Sequence, residues 1–336
     1  MTARPRIVAE ISGNHGGSLA RAMDLMLLAS RHGADAVKIQ TYEADSLTLD
    51  SRRPEFVIQG GLWGGQTYYE LYKKACTPRS FVKPLFERAR EEGIFLFSSP
   101  FSASDVEALT AVDCPTYKIA SFELNDVDLI KLCAQTGKAL ILSTGLATLE
   151  EIDRAINLAL KFGNGDVTLL HCESHYPATP EMFNLRSIPF LKERYGLPVG
   201  LSNHALGDSL DIAATALGAS LIEKHFIDVR DEKYVDAAFS MTPEELEQLV
   251  ADTEAVASAL GERAVVLSER DRMARGGRRS VYLTSDMQEG ELLTREHVRV
   301  VRPAMGLEPY RLEGVLGKRA RAALKAPLPL REEDFV

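Results

Sequence analysis

Eight short apolar runs dominate the hydrophobic pattern of the first 226 residues. They are RIVAEIS (6–12), AVKIQT (36–41), IFLFSS (94–99), TYKIAS (116–121), ALILSTG (139–145), VTLLHCES (167–174), PVGLSNH (198–204) and SLIEKHF (220–226). Each is too short for a helix and is bounded by Gly, Pro or polar residues, the pattern of buried parallel strands. Between them apolar positions recur at helical spacing. LARAMDLMLLASRHG, FVKPLFERAREEG and LEEIDRAINLALKFG close on Gly33, Gly93 and Gly163, each placed to stop a helix. Eight strand–helix units over about 250 residues predict a (β/α)8 barrel, with a doubly wound sheet ranked second.

The excursion from Glu43 to Pro78 is long for a strand–helix loop and carries the only Trp, Trp63. Its length suggests a lid or a substrate wall, with Trp63 expected to be largely covered. After Phe226 a helix is predicted to begin at Thr242, with Pro243 next and Glu245 at the capping-box position. The Arg-rich, Gly-paired SERDRMARGGRR reads as a linker. From Ser280 onward short β runs and turns replace the helical pattern, which predicts a small β-rich module. The expected organisation is therefore a catalytic barrel over 1–262, a linker over 263–279 and a small domain over 280–336.

Composition narrows the function. Hydrophobic residues make up 45% and charged residues 26% of the 336, ordinary for a globular protein. A net charge of −9 without a basic stripe argues against a nucleic-acid partner. No apolar segment of signal-peptide length precedes the first strand, and no apolar run is long enough to span a membrane. Cys76, Cys114, Cys133 and Cys172 are widely spaced, so they are expected to be reduced thiols of a cytoplasmic protein.

Barrel enzymes carry their chemistry where strands hand over to loops. Reading those ends in turn gives Glu10, Asn14 and His15; Lys38 and Gln40; Ser98 and Ser99; Lys118 and Ser121; Ser143 and Thr144. The last three strands give His171, Glu173, Ser174, His175 and Tyr176; Ser202 and His204; and Glu223 and His225. A right-handed crossover between the last two strands would set His204 and His225 side by side, a pair suited to a divalent metal. Two unrelated strand-capping histidines remain the bland alternative. Lys38 and Lys118 in buried strands need anionic partners, and the serines beside them fit a phosphate or carboxylate pocket. For either lysine alone, a structural salt bridge would explain it equally well. Arg302, in RPAMGLEP, stands out in a module too small for a pocket of its own.

The ordered motifs AEISGNHGGS, AVKIQTY, FSSPF, YKIASFE, LSTGLATLEE, LHCESHYP, GLSNHALG and EKHF resemble the sialic acid synthase family. RRSVYLTSDMQEGELLTREHVRVVRPAMGLEP resembles that family's antifreeze-like (SAF) domain. The resemblance covers roughly 6–336 and implies condensation of phosphoenolpyruvate with an N-acetylated amino sugar. It also implies a divalent metal, manganese before magnesium or cobalt, and a domain-swapped homodimer. GGLWGGQTYYELYKKACTP and Phe122 in YKIASFEL resemble most the branch that makes pseudaminic acid from 2,4-diacetamido-2,4,6-trideoxy-L-altrose. The neuraminate and legionaminate branches are the alternative, and a non-catalytic sugar-binding paralogue is a further one.

The resemblance also implies roles. His204 and His225 would ligate the metal. Lys38, Lys118, Ser121, Ser143 and Ser202 would hold phosphoenolpyruvate, with Ser99 where Thr is usual and Gln40 beside them. Glu10 and Glu223 are the acid–base candidates. Ser174 would bind substrate, Tyr176, Asp236 and Phe122 would line the sugar side, and Arg302 would reach the acetamido group from a partner subunit. Three departures are visible: Asn203 in place of Asp, Glu173-Ser174-His175 before Tyr176, and the missing glycine pair ahead of Asp236.

Overall fold

All eight apolar runs become strands of one closed parallel barrel in the computed structural model, which describes residues 4–336. The strands are β1 (Arg6–Glu10), β2 (Ala36–Thr41), β3 (Leu96–Pro100), β4 (Thr116–Ile119), β5 (Ala139–Ser143), β6 (Val167–Cys172), β7 (Val199–Asn203) and β8 (Leu221–His225). They pair in sequence order, and β8 returns to β1 with His225 opposite Glu10. Alternation sends Val37 and Ile39 outward against the helices and Lys38 and Gln40 inward. The same parity places Glu10, Lys118, Ser143, Ser202 and Glu223 inside. Gly200 is required by the closing strands: a Cβ there would sit 2.2 Å from the Leu221 carbonyl oxygen.

The outer layer follows helical spacing. Its helices are α1 (Leu19–Arg31), α2 (Ala44–Leu47), α3 (Tyr68–Ala75), α4 (Arg79–Glu91), α5 (Ala103–Ala111), α6 (Val127–Gln135), α7 (Leu149–Phe162), α8 (Ser187–Tyr195), α9 (Ser209–Ala216) and α10 (Pro243–Leu260). In α7, Ile152, Ala155, Ile156 and Ala159 form the buried stripe. Thr148 and Glu151 close a capping box at its start. Replacing Thr148 by Ala would cost about 1 kcal/mol. Gly33 and Gly93 adopt positive φ beyond α1 and α4, whereas Gly163 ends α7 in an extended conformation. The predicted start of α10 at Thr242, with its capping box to Glu245, is present.

The long excursion after β2 is ordered by α2, α3 and a 3-10 turn at Pro54–Phe56. Trp63 is half-buried, not largely covered as the sequence reading expects. Its indole N–H donates to the Val235 carbonyl at 3.2 Å, and its ring packs 5.8 Å from Tyr176 and 6.4 Å from Phe239.

The chain divides into two compact units, one ending at Gly261 and the other Glu262–Val336. The second holds its own core, with Val281, Leu283, Met287, Leu293, Leu330 and Phe335 fully covered. Its three-stranded antiparallel sheet is built from β9 (Ser280–Leu283), β10 (Val298–Val301) and β11 (Leu328–Pro329), with β9 central. The stretch read as a linker carries a short helix, α11 (Glu269–Ala274), capped by Ser268.

Candidate active site

At the carboxyl ends of the strands, register converts neighbouring positions into a cluster. Glu10 pairs across to Lys38 on one side and to His225 on the other, and Ser202 lies opposite Glu223. Lys38 forms an ion pair with Glu10 and lies 3.4 Å from Glu223 Oε1. Lys118 Nζ lies 2.5 Å from the same Glu223 oxygen. Ser99 Oγ is 3.4 Å from Lys38 Nζ, and Ser202 Oγ is 3.4 Å from Glu223 Oε1. Four ionisable side chains thus share a volume almost closed to solvent.

Their electrostatics separate the two acids. Burial raises both carboxyls. At Glu223 the Lys118 and Lys38 ammonium groups outweigh burial and hold the carboxyl at about 2. At Glu10 burial prevails over Lys38, with help from the Glu223 charge, so its carboxyl is pushed up. Lys38, between two carboxylates, is raised against burial, whereas burial lowers Lys118 despite Glu223. Glu223 is thus a fixed anion and Glu10 a group able to carry a proton, held by the Ser12 N–H at 2.6 Å.

Beside the cluster lies a cradle for an anion. A Cβ on Gly145 would fall 2.5 Å from Ser174 Oγ and 2.7 Å from Ser121 Oγ, so the absent side chain keeps that space open. The Ser121 and Ser143 hydroxyls point into covered space with no hydrogen-bond partner among the described residues. Free hydroxyls and a nearby ammonium suit a phosphate.

Above it, the His204 and His225 rings lie 5.4 Å apart, with Tyr176 packed 4.3 Å from His204. His204 Nδ1 donates to the Glu173 carbonyl at 2.7 Å, which leaves Nε2 as its free nitrogen. His225 Nδ1 is buried without a hydrogen bond, 3.7 Å from Asp236 Oδ2. Burial and the neighbouring cations hold His225 well below the usual histidine range, hence neutral. Two imidazoles, that of His225 with an orphaned nitrogen, beside a carboxylate fit a divalent cation. No group of three His, Cys, Asp or Glu side chains among the described residues is disposed to hold a metal, so water or substrate would complete the coordination. Asp236 also accepts from the Gly13 N–H at 3.3 Å, and burial raises its carboxyl.

Other positions named from the sequence fall differently. Asn14 donates to the Phe226 carbonyl and Ser240 Oγ, and His15 meets Thr77 Oγ1, so both brace the framework. Ser98 bonds Thr41 and His171 bonds the Phe183 carbonyl, both on the outer face of their strands. His175 is exposed and pairs with Glu173. Gln40 is half-buried opposite Ser99, and Phe122 stands 60% exposed at the end of β4. Arg302 belongs to the second unit, just past β10, and is exposed there.

Two positions escape the sequence reading. Cys172, read only as a reduced thiol, faces inward opposite Ser202, with Sγ 3.7 Å from Ser174 Oγ. Burial raises its thiol, but His204 and Lys118 outweigh burial and bring it to about 7. Strand parity two residues before Ser174 carried that signal. Glu123, beside Phe122, is pushed up by burial to about 7.

Comparison with known proteins gives the family. Residues 25–264 match the NeuB family and residues 278–336 match the SAF domain. The chain is 42% identical to the pseudaminic acid synthase of Campylobacter jejuni over 98% of this chain and 96% of that protein. It is also 42% identical to that of Helicobacter pylori, over 98% of each. Among solved structures, N-acetylneuraminic acid synthetase from Leptospira borgpetersenii, in complex with citrate, superposes with a TM-score of 0.72 at 30% identity. That match covers 81% of this chain and 90% of the other. The chain belongs to the NeuB family and carries a C-terminal SAF domain.

Proposed function

We propose that this chain condenses phosphoenolpyruvate with 2,4-diacetamido-2,4,6-trideoxy-L-altrose, giving pseudaminic acid and phosphate. The observation that carries the reaction class is the buried Lys38–Glu10–Glu223–Lys118 cluster beside the open hydroxyls of Ser121 and Ser143. The 42% identity to pseudaminic acid synthases along nearly the full chain supports the acceptor.

In this reading Lys118, Ser121, Ser143, Ser174 and Ser202 hold the phosphate, and Lys38, Ser99 and Gln40 hold the carboxylate. Carbon 3 of the enol attacks the open-chain aldehyde, forming the new C–C bond as the enol π bond breaks and positive character builds on carbon 2. Glu223, ionised between two lysines, stabilises that charge. Water then adds to carbon 2, and the resulting tetrahedral adduct expels phosphate. Glu10, its pKa raised, is placed to hand a proton to the forming hydroxyl or take one from water. His204 and His225 would hold a divalent cation, manganese with magnesium or cobalt as substitutes, which when bound would polarise the aldehyde oxygen. Tyr176, Asp236 and Phe122 would bound the sugar, Phe122 and Trp63 supplying the apolar wall that a 6-deoxy carbon favours. The proposal extends to a cytoplasmic, domain-exchanged homodimer in which Arg302 reaches the acetamido group of the sugar in the partner's site. No helix among the described residues is long and apolar enough to cross a membrane.

Phosphate release with Mn²⁺ tests the reading with two acceptors. Release with the 6-deoxy diacetamido altrose and not with N-acetylmannosamine is expected. Release with N-acetylmannosamine alone would keep the chemistry and overturn the acceptor.

A further inference from the structure

Behind the paired imidazoles, on the outer face of β7 and β8, lies a second cluster that the reaction does not use. Asn203 Nδ2 donates to Asp211 Oδ1 on α9 at 2.8 Å, and Asn203 Oδ1 accepts from the Ala205 N–H at 2.8 Å. Lys224 Nζ lies 3.1 Å from the other Asp211 oxygen and donates to the Ala205 and Gly207 carbonyls, each at 2.9 Å. All three side chains are buried: Asn203 is 1%, Asp211 0% and Lys224 4% exposed. Asn203 and Lys224 immediately precede His204 and His225 in the chain.

We infer that Asn203, Asp211 and Lys224 form a charge-matched bracket that positions His204 against His225, and that Asn at 203 is dictated by Asp211. The bonds from both sides fix the backbone of 203–207, the segment that bears His204 and turns away just after it. One buried anion faces one buried cation, and Asn203 joins them without adding charge. An aspartate at 203 would press a second carboxylate onto Asp211, with a single ammonium for both. Asn203 and Asp211 are thus a matched pair in this chain, and exchanging the two residues should restore the bracket. After the exchange, the amide N–H at position 211 would donate to the carboxylate at position 203. That carboxylate would accept from the Ala205 N–H, and the amide oxygen at 211 would face Lys224. The count of donors, acceptors and charges is unchanged.

The inference rests on His204 and His225 as the metal-binding pair, so the test reads metal binding itself. Mn²⁺ alone is titrated into the metal-free full-length chain and followed by its paramagnetic resonance signal, with H204A marking the site and thermal midpoints measured in parallel. N203D is expected to weaken Mn²⁺ binding ten- to a hundredfold. N203D/D211N should return close to wild type. N203A, which adds no charge, should lose affinity while folding, and it carries the test should N203D fail to fold. A wild-type affinity in N203A and N203D overturns the inference. So does a double exchange that melts like wild type yet binds as weakly as N203D. Mn²⁺ binding by wild type that H204A leaves intact overturns the metal reading, and the bracket's purpose with it.

Discussion

Lys118 Nζ and Glu223 Oε1 meet at 2.5 Å with side chains only 5% and 3% exposed, and Lys38 approaches the same oxygen at 3.4 Å. One carboxylate thus faces two buried ammonium groups before any substrate enters, with Glu10 on the far side of Lys38. Removing it outright strands Lys118, while Lys38 keeps its ion pair with Glu10, so E223A should lose about 3–5 kcal/mol of stability. E223Q keeps the shape and lowers the negative charge. It should bind phosphoenolpyruvate at least as well as wild type while kcat falls about 100-fold. Steady-state kinetics separates the two constants. A raised KM with unchanged kcat would show Glu223 to be an anchor for substrate and not part of the chemistry.

Gly145 tests the anion cradle. Its φ lies outside the left-handed region, so alanine brings no backbone strain; the cost is a methyl 2.5 Å from Ser174 Oγ and 2.7 Å from Ser121 Oγ. G145A should raise the KM for phosphoenolpyruvate about tenfold, a loss near 1.4 kcal/mol, with the KM for the sugar little changed. Equal rises in both constants would indicate collapse of the mouth and remove the cradle from the phosphate's path.

The barrel and the inward-facing set were legible because parallel strands buried on both faces leave continuous apolar runs whose few polar residues sit at functional ends. Lys38, Lys118, Glu223 and the two histidines stand out against such runs, as in AVKIQT and LIEKH. Side-chain direction was harder. Ser98 and Ser99 are adjacent, yet only Ser99 faces Lys38, while Ser98 turns to Thr41. Cys172 does not stand out because a thiol in an apolar run looks like core, and only its register with Ser202 reveals that it points inward. The Asn203–Asp211–Lys224 bracket depends on three elements meeting, which no local spacing encodes. Trp63 meets Tyr176, Val235 and Phe239, all far along the chain, so its half-exposure is not readable from its neighbours.

His15 makes stability depend on pH. It is fully buried, with Nε2 against Thr77 Oγ1 at 3.2 Å and Nδ1 accepting from the Gly17 N–H at 3.0 Å. Burial, aided by the Arg21 charge, lowers its pKa from 6.5 to about 4. Below pH 6.5 the unfolded chain takes up a proton that the folded chain refuses until about pH 4. Stability therefore rises with pH across this window and is lost as pH falls through it, by about 3 kcal/mol at the acid end. Thermal midpoints at pH 7 and pH 5 should converge in H15Q relative to wild type. Equal drops in the two proteins would remove His15 as a source of acid sensitivity.

Arg302 permits a test of shared sites. It lies in a unit with its own covered core, so a chain ending at Gly261 should fold and yet lack activity. Loss of activity on truncation alone does not say whose site Arg302 completes, but mixing variants does. R302A spoils the site to which that subunit's SAF domain contributes, and H204A spoils the site in its own barrel. If the domains are exchanged, a mixed dimer of R302A and H204A carries both defects in one site and none in the other. Random reassociation makes half the dimers mixed, so about a quarter of wild-type activity should return from two inactive parents. If each SAF domain serves its own barrel, every site in the mixture keeps one defect and no activity returns. Activity recovered on mixing therefore requires exchange, and its absence, with reassociation verified, requires that Arg302 act within its own chain or not at all.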